Sequence, residues 1–312
     1  MTERTQITLK LILSHIILPI GLVVYLFFIT NDVYLFCTIT QTVFFILYFA
    51  GYWEFFGLSF KRLFMASLEL ALLLIFIYKL LKPTNSHPNL ILLLILSVVQ
   101  AYLLIALVKI FIVIFRKDKV KLEITFPLKN GTYLITDGGN SKISRLMNYH
   151  YYSLIHRKNR TNNSMVYATD AVKIARNKGK FLPRRNEDYP IFGEKVYCPM
   201  PGEVIKVENN IDNNKPFIGK YPYNTGNTVV IRNGNFYFLL GHLKKGSISV
   251  GEGETVQQDD FIGQIGNSGF SERPHLHFQL IKSDSENYWS GKGICIQYQG
   301  KNLYKNRIIE VA

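Results

Sequence analysis

Hydrophobic and polar positions change their spacing once along this chain, near Phe115. Before it, apolar residues come in four long runs, Leu11–Thr30, Val33–Trp53, Leu63–Leu81 and Leu90–Phe115. A helix rises about 1.5 Å per residue, so roughly 20 apolar residues cross a hydrocarbon layer of about 30 Å. The pattern therefore predicts four membrane helices. Glu69 interrupts the third, and Lys109 lies near one end of the fourth, where a long side chain can snorkel to the interface. The first run reads as a retained helix, because Thr30, Asn31 and Asp32 follow it where a cleaved signal would have small residues.

From Val120 onward the runs are short, β-branched or aromatic, and bounded by turn residues. They are Lys121–Phe126, Thr132–Thr136, Glu203–Glu208, Thr228–Arg232, Phe236–Leu240, Phe261–Ile265 and His275–Ile281. Asn130-Gly131, Asn233-Gly234 and Gly251-Glu252-Gly253 punctuate them, and Asn233-Gly234 between two runs is a hairpin signal. The stretch Ile211–Asn227 reads as a surface loop. The expected fold class is multi-domain: an N-terminal α-helical transmembrane bundle, then a mainly antiparallel β domain. The expected boundaries are 1–115 for the bundle, 116–121 for a basic juxtamembrane linker and 122–312 for the β domain.

Composition supports the division. Of 312 residues 48% are hydrophobic, which excludes a disordered polymer, and three cysteines exclude a disulfide-dense mini-protein. Residues 1–115 carry seven Lys/Arg against four Asp/Glu, a net +3, whereas 116–312 carry 29 against 18, a net +11. The basic excess thus belongs to the β half. It has no aromatic-basic recognition pattern for nucleic acid, and an anionic wall polymer or lipid headgroup suits a tethered domain better. Lipid bilayer is the expected partner of the helices. Arg4, Lys10, Lys61, Arg62, Arg116, Lys117, Lys119 and Lys121 flank alternate ends, which by the positive-inside rule places both termini in the cytoplasm; Lys79 and Lys82 oppose this. His15 and Glu69 are the intramembrane ionisable residues far from a helix end, candidates for an ion path or for local pairing. Cys198 and Cys295 are one pair at most, and no Cys-x-x-Cys spacing is present.

Candidate chemistry lies with the histidines. Five of seven, His150, His156, His242, His275 and His277, fall in the β half, with Asp170 in the apolar setting Val166-Tyr167-Ala168-Thr169-Asp170-Ala171-Val172. On a strand, residues i and i+2 share a face, so His275 and His277 project side by side while Leu276 and Phe278 enter the core. Such a pair can hold a metal together, or one can hold it while the other meets its water. A catalytic zinc needs three protein ligands and an open position. His150 or His156 with Asp170 can complete the set.

Gly226-Asn227-Thr228-Val229-Val230-Ile231, Gly241-His242-Leu243, Val250-Gly251-Glu252, Ile262-Gly263-Gln264-Ile265-Gly266-Asn267-Ser268-Gly269 and Pro274-His275-Leu276-His277-Phe278, in order from Pro199 to Leu280, resemble the lysostaphin-like (LytM-type) zinc metalloendopeptidases. Upstream, Gly138-Gly139-Asn140, Asn148-Tyr149-His150 and Tyr167-Ala168-Thr169-Asp170 resemble a branch in which an insertion separates the first ligand from the Asp. The resemblance implies one Zn²⁺ per chain on His150, Asp170 and His277, with His156 as the alternative first ligand. It implies His242 and His275 as the catalytic pair beside the metal, taking a proton from the attacking water and steadying the oxyanion. Peptidoglycan peptides are the implied substrate, at a multi-pass bacterial membrane protein whose peptidase domain is extracytoplasmic, against the loop charges. The competing expectation is a non-catalytic wall- or partner-binding β domain on the same anchor.

Overall fold

A computed structural model describes residues 3–29, 32–55, 58–81, 89–118, 120–152, 162–174, 183–219 and 224–312. They form two compact units, Met1–Ile112 and Val113–Ala312.

The first unit is helical. α1 (Glu3–Ile12) continues through a π turn at Leu13–Ile17 into α2 (Leu18–Ile29), so the first apolar run is one helix. α3 (Val33–Ala50) is capped by Asp32, whose carboxylate accepts from the Leu35 N–H at 2.8 Å. It stops before the expected Trp53 because Gly51 is extended and the Trp53 indole donates to the Leu47 carbonyl at 2.8 Å. α4 (Leu58–Leu81) starts earlier than expected, and Phe60 stacks on Phe64 one turn on, at 5.5 Å. α5 (Leu90–Phe115) has the expected bounds. Four spans, Thr8–Phe28, Val33–Ala50, Ser59–Leu81 and Leu90–Phe115, are long and apolar enough to cross a membrane.

Phe36, Ile39, Phe44, Trp53, Met65, Leu68 and Leu72 pack inside this unit, while Phe28, Leu63, Leu94 and Tyr102 stay exposed. The two isolated ionisable residues pair locally. The Tyr52 N–H donates to His15 Nε2 at 2.9 Å, and Gln41 Nε2 donates to Glu69 Oε1 at 3.2 Å. Gln100 Nε2 likewise donates to Thr42 Oγ1 at 3.0 Å.

The second unit is a β domain. Its strands are β1 (Lys121–Glu123), β2 (Gly131–Asp137), β3 (Thr169–Lys173), β4 (Lys195–Tyr197), β5 (Gly202–Glu208), β6 (Asn227–Asn233), β7 (Phe236–Leu243), β8 (Thr255–Val256), β9 (Phe261–Gln264), β10 (Leu276–Lys282), β11 (Lys292–Tyr298), β12 (Lys301–Asn302) and β13 (Ile308–Val311). The main sheet runs β13-β2-β3-β10-β7-β6-β5-β8, and β10 also pairs with β11 beyond the end of β3. Every pairing is antiparallel except β1 with β11, which is parallel. The hairpin between β6 and β7 turns on Gly234-Asn235, with Gly234 at φ +58°, one residue later than the Asn-Gly pair suggested. β3, β4, β8, β11, β12 and β13 lie outside the predicted runs. β3 has only five residues, and the seven of β11 include Lys292, Gly293 and Gln297, so neither reads as an apolar strand run.

β10 is the axis of the domain. Its even residues Leu276, Phe278 and Leu280 enter a core shared with Phe126, Ile135, Ala171, Phe238 and Leu240. Phe278 stacks on Phe238 at 6.2 Å and meets Phe126 edge-on at 5.9 Å. The opposite parity sends His277 to the other face, opposite Asp170 of β3 and Gly241 of β7. Cys198 and Cys295 are buried free thiols.

Replacing Phe238 with Ala should cost about 3–5 kcal/mol, the usual cost of emptying an aromatic site in a close-packed core. Ile308→Ala, at a side chain 42% exposed, should stay within about 0.5 kcal/mol. Thermal melts of the full chain in detergent check both.

Candidate metal centre

Strand register puts the first two site residues together. His277 and Asp170 are directly opposite each other on neighbouring antiparallel strands, and His277 Nδ1 lies 2.9 Å from Asp170 Oδ1. A residue spacing of 107 in sequence thus becomes one hydrogen-bond length. Asp170 Oδ2 faces two more imidazoles, His150 Nε2 at 3.4 Å and His275 Nε2 at 3.5 Å. His150 sits on a 3₁₀ turn (His150–Tyr152), where the Tyr149 ring stacks against it at 4.6 Å. His156, the alternative first ligand, lies outside the described residues.

His242 arrives by a different device. It occupies the C-terminal end of β7 beside a bulge, with φ +59°, a backbone conformation costly for a residue with a side chain. Its backbone N–H donates to the Thr225 carbonyl at 2.6 Å, and its carbonyl accepts from the Gly266 N–H at 3.0 Å, which hold that conformation. The His242 ring lies 4.7 Å from that of His275 and 5.6 Å from that of His277. Two glycines let the supporting loops close on each other. A Cβ on Gly226 (φ +65°) would strike the Ser268 carbonyl, and one on Gly269 (φ +72°) would strike the Gly226 backbone.

Each ring has one nitrogen taken by a fixed partner. His150 Nδ1 lies 2.7 Å from Asn148 Oδ1, His277 Nε2 lies 3.2 Å from Gln279 Oε1, His242 Nδ1 lies 2.7 Å from the Ser268 carbonyl, and His275 Nδ1 lies 2.8 Å from the Arg273 carbonyl. The other nitrogen of each ring is left for the site. These partners escaped the reading of the sequence. Gln279 alone had a signal, since it follows His277 by two on a strand and shares its face. The carbonyls carry no side-chain signature at all.

The electrostatics follow from burial. All five side chains are buried. Burial opposes charge on Asp170, but the His150 and His275 imidazoles and the hydrogen bonds from His150 and His277 outweigh it, holding the carboxyl well below its usual range. For His150 burial opposes the charged form, and the Asp170 carboxylate beside it, with Asp137, turns the balance upward. His242 is held well below the usual imidazole value, by burial first and then by the neighbouring His275 and His277. Burial brings His275 down to about 4, against the pull of Asp170. Behind the site, Asp137 and the fully buried Lys305 approach to 3.6 Å.

His150, Asp170 and His277 each offer a ligand atom, and these atoms lie within 4.8 Å of one another. Two imidazole nitrogens and one carboxylate oxygen are a donor set suited to zinc, and all three residues are buried, so the group fits such an ion. Residues 188–289 match the model of a family described as Peptidase family M23. The chain carries an M23 peptidase domain. The M23 match includes His242, His275 and His277 and begins after His150 and Asp170, which only the fold brings to them.

The M23 segment is 34% identical over 103 residues to peptidoglycan DD-endopeptidase ShyA of Vibrio cholerae, covering 33% of this chain and 21% of that protein. It is 42% identical over 67 residues to Endolysin 2638A of Staphylococcus phage 2638A, covering 20% of this chain and 14% of that one. The matches thus span about a fifth or less of these curated relatives. The catalytic domain of lysostaphin from Staphylococcus simulans aligns in three dimensions at 19% identity and a TM-score of 0.29, covering 47% of this chain and 86% of that one.

In the zinc-free protein, His275 of the M23 domain should stay neutral until the pH falls to about 4. The unfolded chain takes up that proton first, near pH 6.5, so His275 subtracts stability progressively as pH drops between these values. A histidine-resolved NMR titration checks this; charging near 6.5 would contradict it.

Proposed function

We propose that the chain is a membrane-anchored zinc metalloendopeptidase that hydrolyses peptide bonds of bacterial peptidoglycan. The observation that carries this reading is the gathering of five buried side chains, Asp170 and four imidazoles, into one cluster. Three supply ligand atoms, and two further imidazoles stand beside them with one nitrogen each to spare. The printed names of two relatives, a peptidoglycan endopeptidase and a phage endolysin, support the substrate class.

His150 Nε2, Asp170 and His277 Nδ1 would hold one Zn²⁺, which when bound supplies Lewis acidity and brings the pKa of bound water to about 7. His242 and His275 do the proton work. Their Nδ1–H groups donate to the Ser268 and Arg273 carbonyls, so Nε2 of each presents a lone pair. Burial keeps both rings neutral at pH 7 and so able to accept a proton. One takes the proton of the attacking water and passes it to the departing amide nitrogen. The other takes the second proton of that water as the carboxylate product forms, its new N–H steadying the carboxylate oxygen before the proton passes to the amine.

Residues 1–115 would be the membrane anchor, 116–121 a basic linker and 122–312 the peptidase, on the outer side where the wall lies. The apolar length of the four helices supports the anchor.

Full-length protein in detergent should carry one zinc per chain by elemental analysis and release peptide fragments from purified wall. His277→Ala should lose both. His242→Ala should keep the zinc and lose activity by about 10²–10⁴, the usual value of a positioned acid-base group. Wall binding without cleavage, unchanged in His242→Ala and His275→Ala, would establish a binding domain instead. An alkaline phosphatase fusion at Ala312 should be active, since that enzyme works only when exported; an inactive fusion would place the β unit in the cytoplasm.

A further inference from the structure

His150 is the one proposed ligand that no strand carries. Asp170 and His277 are held by their ladder, but His150 lies twenty residues before Asp170 on a single 3₁₀ turn. Something other than strand register must fix its ring. The side chain of Asn148 is at the right place. It is fully buried, and all of its hydrogen-bonding atoms are engaged.

The chemistry of its partners decides which way the amide faces. Asn148 Nδ2 donates to the Gly139 carbonyl at 2.8 Å and to the Ala168 carbonyl at 2.9 Å, and carbonyls can only accept. The NH₂ end is therefore committed to them. Oδ1 faces the other way and accepts the His150 backbone N–H at 3.1 Å, with His150 Nδ1 at 2.7 Å. An oxygen that can only accept requires Nδ1 to carry the proton. Nε2, the nitrogen facing Asp170, is then the one whose lone pair a metal can take by displacing its proton.

We propose that Asn148 is the positioning residue for the first zinc ligand: its amide ties the loop at Gly139 to the start of β3 at Ala168, and its oxygen selects the imidazole tautomer that offers Nε2 to the metal. The inference rests on the zinc reading above. It explains how a ligand separated from Asp170 by an insertion reaches the site in working orientation, the role that partners of ligating histidines commonly play. Asn148 does not touch the metal or substrate; it acts through His150.

The test is zinc affinity of the full chain in detergent, measured with zinc itself by competition against a chromophoric chelator. Asn148→Leu removes both functions and should weaken binding by about 10- to 100-fold. Asn148→Asp keeps an acceptor for His150 Nδ1–H but cannot donate to the two carbonyls. It should bind within about fivefold of wild type, whereas a purely structural role for the amide would make it as weak as the leucine variant. Wild-type affinity in Asn148→Leu, or equal loss in both variants, overturns the proposal and leaves the zinc reading standing. If the leucine variant does not fold, a loss of tenfold or more in Asn148→Asp overturns it alone. A wild-type chain that binds no zinc overturns the functional reading and this inference together.

Discussion

A carboxylate buried from water must be surrounded by groups that repay its lost hydration, and Asp170 is the point where this domain meets that demand. Three imidazoles from two segments far apart in sequence approach its two oxygens. The cost of leaving that charge unpaired makes the surrounding geometry mutually dependent. β3 must lie beside β10 in one register, the loop with His150 must fold back over them, and the turn before β10 must present His275. The same cluster that satisfies a buried anion is a donor set for a divalent cation.

Partners on the far side of each ring make the cluster directional. Asn148, Gln279 and the Ser268 and Arg273 carbonyls each engage one ring nitrogen, so four imidazoles are oriented by fixed acceptors. His242 is held against a conformational cost, and the close approach of Gly226 and Gly269 shapes the loops behind it. These supports belong to backbone shape as much as to side chains. The helical unit answers a related demand differently. His15, Glu69 and Gln100 each find a partner within it, as polar groups among apolar helices must.

Much of this organisation could be read along the chain. Long apolar runs marked the four helices, and short β-branched or aromatic runs bounded by turn residues marked β5, β6, β7 and β10. The errors fall where tertiary contacts overrule local pattern. α3 ends early at an indole that caps a carbonyl, the β6–β7 turn slides by one residue, and β3 and β11 do not read as apolar strand runs.

The sequence by itself determined the two-part architecture, the pairing of His275 with His277 and the ordered motif that ends in it, because these depend on spacing between near neighbours. Tertiary structure alone decided that His277 faces Asp170 across a strand pair and that His150 joins them from a turn. It also decided that Asn148 and backbone carbonyls set the rings' orientations. Those relations join residues far apart in the chain, and strand register and loop closure carry no local signature in the residues they bring together.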